Sequence, residues 1–103
     1  MANSKWADFC ISAVQYDKQR KHIVAARVHA DKGETLGEAI TYPRTTIVDH
    51  IERNHSYITV TKDKEGKWVK GQPVFVVLIK TVKYIKTVDN EKESDNLENL
   101  PEF

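Results

Sequence analysis

Apolar and polar residues alternate along the first third of the chain. In residues 7–16, Phe9, Ile11 and Ala13 fall on one side and Ser12 on the other, the period of a half-buried strand. The polar run Asp17-Lys18-Gln19-Arg20-Lys21 reads as a turn. Beyond it, Val24, Ala26 and Val28 alternate with Ala25, Arg27 and His29, a second strand that should pair with the first as a hairpin. Asp31-Lys32-Gly33-Glu34 makes a loop, and Ala39-Ile40-Thr41-Tyr42 a short third strand stopped by Pro43, which has no N–H to give to a ladder.

Helical signals gather in one place. Thr46 followed three residues later by Asp49 fits a capping pattern, and Ile47, Val48 and Ile51 share a face, so the spacing predicts a helix over residues 46–53. Asn54 tolerates the left-handed conformation that ends a helix, and Tyr57-Ile58-Thr59-Val60-Thr61 behind it suits a pleated surface. Residues 62–67, with Gly66 where positive φ is expected, read as a hairpin loop into Trp68-Val69-Lys70, which Gly71-Gln72-Pro73 interrupts. Residues 74–79 are apolar on both faces, the mark of a strand covered on both sides, and Lys83-Tyr84-Ile85-Lys86 returns after a short turn. The order β-β-β-α-β-β-β with short connections implies an α+β domain. Its single mostly antiparallel sheet is expected to be strongly curled or barrel-like, with one helix over an open end or face.

Length and charge refine this picture. A chain of 103 residues supports one modest core, placed at residues 6–88, with an acidic tail over 89–103. Residues 1–86 hold 15 Lys and Arg against 9 Asp and Glu, whereas residues 87–103 hold six acids against Lys92 alone, so a basic body joins an acidic end. That end also carries Leu97, Leu100 and Phe103 at a spacing of three, more apolar than a solvating tail requires. These three are the candidate partner-binding residues, expected to lodge in an apolar groove of the same body, a neighbouring copy or a partner. No apolar run approaches the roughly 18–20 residues of a membrane span, and the N-terminal residues lack an export pattern. A cytoplasmic location without membrane association is therefore expected.

Catalytic and metal chemistry finds little support in the pattern. The single cysteine, Cys10, excludes an intrachain disulfide and reads as a small buried strand residue. His50, Glu52 and His55 fall at about 0°, 200° and 140° around a helix, so they lack the one-face spacing of a zinc helix. His22 and His29 stand an odd number of residues apart on the second strand and point to opposite sides. A pairing of Cys10 with His22 or His29 would need an orienting third group that the sequence does not supply. With no phosphate loop and no paired carboxylates in an apolar setting, no catalytic residue, metal or cofactor is assigned.

The remaining signal is aromatic residues among lysines, Lys67-Trp68-Val69-Lys70 and Lys83-Tyr84-Ile85-Lys86, a mixture that stacks bases and meets phosphates on small curled sheets. Together with Ala7-Asp8-Phe9-Cys10-Ile11-Ser12-Ala13-Val14 and the end Asp95-Asn96-Leu97-Glu98-Asn99-Leu100-Pro101-Glu102-Phe103, these segments resemble the small bacterial proteins of domain-of-unknown-function family 3892. The resemblance implies a short stand-alone bacterial protein and supplies no activity, ligand or catalytic residue. It also implies that the C-terminal end belongs to the family pattern. The expected function is thus a non-catalytic interaction module binding another macromolecule, foremost a protein, of the kind found among immunity or phage-related accessory proteins. Self-association through the tail or a sheet edge is compatible with it. The alternative is single-stranded nucleic-acid binding through Trp68, Lys70, Tyr84 and Lys86, with the acidic tail modulating it.

Overall fold

The computed structural model describes residues 6–19, 22–33, 35–87, 97 and 100–103. The elements follow the expected order: β1 (Phe9–Tyr16), β2 (Ile23–Ala30), β3 (Ile40–Pro43), α1 (Arg44–Glu52), β4 (Tyr57–Lys62), β5 (Trp68–Ile79) and β6 (Val82–Lys86). They build one six-stranded sheet in the order β3-β2-β1-β4-β5-β6. Among the described residues, β1 and β4 pair in parallel over Phe9↔Tyr57, Cys10↔Ile58 and Ile11↔Thr59, and the other neighbours pair antiparallel. The parallel pair explains the helix. To travel from β3 at one edge to β4 beyond β1, the chain must cross a face of the sheet, and α1 makes that crossover. It buries Ile47 and Val48 there, among Ile11, Val14, Ala26, Val28, Tyr57, Val74 and Ile85. Cys10, Ile58 and Val60 alternate to the opposite side, where Ala7, Leu36 and Trp68 cover them.

The expected barrel-like closure is not found. The sheet ends at β3 on one side and β6 on the other, and short connections fit an open sheet as well as a curled one. The helix begins at Arg44 behind Pro43, at φ −69°, with no side-chain cap. Thr46 therefore lies inside the first turn and cannot serve as the N-cap that the sequence pattern suggests. Asp49 instead pairs with Arg53 at 3.2 Å. Asn54 takes the expected left-handed conformation at φ 71°.

Nor does Gly71-Gln72-Pro73 break β5, which runs unbroken through it. The register shifts between Ile58 and Val60 on the facing strand, and Thr59 Oγ1 accepts the Gln72 N–H at 3.0 Å. A Cβ at residue 71 would stand 2.1 Å from Thr59 Oγ1 and 2.7 Å from the Thr59 carbonyl oxygen, so only glycine fits. Residues 74–79 are not covered on both sides either. β4 pairs with β5 only as far as Val74, and residues 75–79 go on with β6 as a two-stranded projection that leaves Leu78 63% exposed.

The C-terminal end returns to the body. Leu97 and Leu100 are buried in the main core. The Val14 N–H donates to the Pro101 carbonyl at 2.9 Å and the Phe103 N–H to the Val14 carbonyl at 3.0 Å. These residues thus take the flank of β1 that β4 leaves after Ile11. The core drawn over residues 6–88 gains two side chains from the segment drawn as a tail.

Candidate functional site

The hairpin of β1 and β2 carries an irregularity that shapes a cleft. Its register runs Ile11↔Val28 and then Ala13↔Arg27, so Ser12 is the extra residue of a β-bulge. Bulges re-aim side chains, and here the Ser12 hydroxyl meets the ring of His29 on β2, Oγ to Nε2 at 2.8 Å. The other ring nitrogen, Nδ1, lies 2.8 Å from the Gly37 carbonyl oxygen. A carbonyl can only accept, so the proton sits on Nδ1. In the neutral ring Nε2 then presents its lone pair, and the Ser12 hydroxyl donates to it. His29 is buried and rests against Trp68 with ring centroids 5.1 Å apart.

Ser12, His29 and Trp68 line a cleft of about 490 Å³ together with Arg27, Lys62 and Pro101. Both cations are held by rings. The Arg27 guanidinium carbon lies 4.5 Å from the Phe103 ring centroid, and Lys62 Nζ 4.8 Å from that of Trp68. Among the described residues neither cation has a carboxylate partner. The C-terminal end therefore helps to shape the cleft, Pro101 as lining and Phe103 as the platform for Arg27.

Cys10 pairs with His29 in the β1–β2 register, yet the imidazole turns to Ser12. The thiol is fully buried, and burial together with the nearby Asp31 charge pushes its pKa up to about 12. That keeps it a thiol at neutral pH, without nucleophilic character. Asp31 is itself occupied as an anchor, accepting the N–H groups of Trp6 at 2.8 Å, Ala7 at 3.3 Å and Gly33 at 2.8 Å. His50 and His22 pack against aromatic rings, whereas His55 Nδ1 lies 3.8 Å from the Asp8 carboxylate. His50 stacks on Phe9 at 5.1 Å, and a 2.7 Å hydrogen bond joins its Nδ1 to the Tyr57 hydroxyl; His22 stacks on Tyr84 at 5.3 Å. No group of three or more metal-ligating side chains occurs among the described residues.

The residues singled out from sequence are scattered by the fold. Of the expected partner contacts, Leu97 and Leu100 are spent in the chain's own core, and only Phe103, 37% exposed, reaches the surface. The basic-aromatic set does not form one surface. Trp68 and Lys70 sit at the start of β5, while Tyr84 and Lys86 pair with Val77 and Phe75 near its other end, and both are buried. What sequence reasoning missed is Ser12 with His29. The alternation that sets Ser12 against Phe9 and Ile11, and His29 against Val28, already places the two on one face of the hairpin. Only the bulge brings them into hydrogen-bonding reach.

An open six-stranded α+β sheet with one crossover helix, bearing a cationic and aromatic cleft on the face away from that helix, defines the class. The chain belongs to the DUF3892 family of proteins of unknown function, whose model matches residues 10–101. No curated protein and no solved structure matches it.

Proposed function

We propose that the protein is an interaction module that binds another protein through the Ser12–His29–Trp68 cleft, receiving a segment that carries carboxylates. The observation carrying this reading is that, among the described residues, Arg27 and Lys62 are held by aromatic rings and not by acids. Seated on rings, the two long side chains lose less freedom when they meet an anion, and their charge is left to offer. Phe103 adds an apolar rim beside Arg27 and keeps its sequence-assigned role as a partner contact. A small cytoplasmic accessory protein of bacteria, of the immunity or phage-related kind, fits such a module. The nucleic-acid alternative has weaker support, because Trp68 is engaged by Lys62 and His29 and Tyr84 by His22, which leaves little ring surface for bases.

The test is fluorescence polarisation with a labelled peptide of alternating Glu and Phe, titrated with the full chain at low salt. Binding should weaken at least tenfold in an Arg27→Gln/Lys62→Gln double variant and fall as salt rises. No binding by the native protein, or equal binding by the double variant, would end this reading. A labelled single-stranded DNA in the same titration should bind less well, and a preference for DNA would move the conclusion to the alternative.

A further inference from the structure

We infer that Ser12 is the nucleophile of an acyl-transfer site in this cleft, with His29 as its general base and esters bearing a carboxylate as its substrates. The substrate's carboxylate rests on the anion-binding reading above; the serine chemistry has its own support. A nucleophilic serine needs a base within hydrogen-bonding reach whose free nitrogen faces the hydroxyl, and a third group that fixes the ring. Ser12 Oγ and His29 Nε2 stand 2.8 Å apart, and Gly37 O holds Nδ1 at 2.8 Å. That third acceptor sets the tautomer a base requires. A serine–histidine contact that only satisfied buried polar groups would not need to face open space, yet both residues line the cleft. Placing the hydroxyl on a bulge, against a ring locked from behind, is also how a sheet can aim a reactive side chain without a flexible loop.

The chemistry balances with water as the only co-reactant. Ser12 Oγ forms a bond to the ester carbonyl carbon as its proton passes to His29 Nε2, giving an imidazolium steadied by the Gly37 carbonyl. The C–O bond to the leaving group then breaks, and the alcohol departs with that proton, leaving an acyl-serine. Water next attacks the acyl carbon, giving one proton to Nε2, and Ser12 leaves by taking it back. The products are a carboxylic acid and an alcohol. Arg27 or Lys62 would pair with the substrate's distal carboxylate, and the apolar chain of the ester would lie along Trp68.

The full chain should be treated with a fluorophosphonate, which forms a phosphorus–oxygen bond only with an activated hydroxyl and releases fluoride. One adduct is expected, mapped to Ser12 by peptide mass, absent in Ser12→Ala and formed at least 100-fold more slowly in His29→Gln. p-Nitrophenyl hydrogen succinate should be hydrolysed faster than p-nitrophenyl butyrate, with the preference lost in Arg27→Gln/Lys62→Gln. Should His29→Gln fold poorly, the comparison of native protein with Ser12→Ala, at matched melting temperature, decides alone. No adduct on Ser12, or equal ester turnover by native protein and Ser12→Ala, overturns the inference even when the acidic peptide binds. Labelling of Ser12 without peptide binding would leave the serine chemistry standing and remove the anion-binding reading.

Discussion

Of Gly37, Gly66 and Gly71, the last leaves the least room for a side chain. Its would-be Cβ meets two atoms of Thr59, the hydroxyl at 2.1 Å and the carbonyl oxygen at 2.7 Å. The hydroxyl belongs to a side chain that could be replaced, but the carbonyl belongs to the backbone of a neighbouring strand and cannot move without disturbing the sheet. Gly71→Ala should therefore cost about 1–3 kcal/mol, as overpacking does, and a second change of Thr59 to Ala should restore only part of it. Thermal unfolding of the single and double variants is the measurement; full recovery in the double variant would show that the side chain alone makes the contact. Read as sequence, Gly71 beside Pro73 looks like a strand break, because both residues usually interrupt ladders. What keeps the strand whole is Thr59 on the partner strand, 13 positions before Gln72, which takes up the Gln72 N–H. A local reading of Gly and Pro cannot see that partner.

At the scale of elements, the C-terminal end and the β5–β6 hairpin exchange the roles that hydropathy assigns them. Residues 74–79 are the most continuous apolar stretch and yet expose Leu78 at 63%, whereas Leu97, set in acidic sequence, is fully buried. Leu97→Ala should accordingly lower stability by about 2–5 kcal/mol. Leu78→Lys, which removes far more hydrophobic character, should stay within about 0.5 kcal/mol. Chemical denaturation of the two variants gives the comparison, and a larger loss from Leu78→Lys would mean that the face of the hairpin carrying Leu78 is covered in solution. The seven elements and their order were legible because each is marked by its own periodicity and turn residues. Strand order was not, since it depends on where α1 delivers the chain, and strand order is what decides burial: β5 loses its β4 neighbour after Val74. The spacing of Leu97 and Leu100 pointed to their burial, but could not choose the groove, and Phe103 at the same spacing stays exposed. The cleft was the least legible part, because Arg27, Lys62 and Phe103 are far apart in sequence and meet only when the end closes on β1.

At the scale of the whole molecule, two described groups, Cys10 and Tyr57, are strongly displaced in their titration, and both favour the folded state only while protonated. Burial raises Cys10 from 9.0 to about 12, and burial with the neighbouring Tyr42 raises Tyr57 above its ordinary 10.0. An acid whose folded pKa is raised gives up its proton first in the unfolded chain, so its contribution is complete below the unfolded value and is lost as pH climbs beyond it. The contribution of these two groups should thus be constant near neutrality and fall above about pH 9, at up to about 1.4 kcal/mol per pH unit for each group. Melting temperatures across this range should show the decline, and Tyr57→Phe should make it shallower; an unaltered slope would place the cause elsewhere. The shared flank of β1 has a further consequence, for how fast the protein folds. β1 finds β2 through a short turn, but its other side is completed by residues 57–59 and then by 101–103. Both partners are remote in sequence, so most of the chain's freedom must be surrendered before those contacts return anything. The first hairpin can form early, while closure of the cleft, which needs Pro101 and Phe103 in place, belongs among the last events of folding.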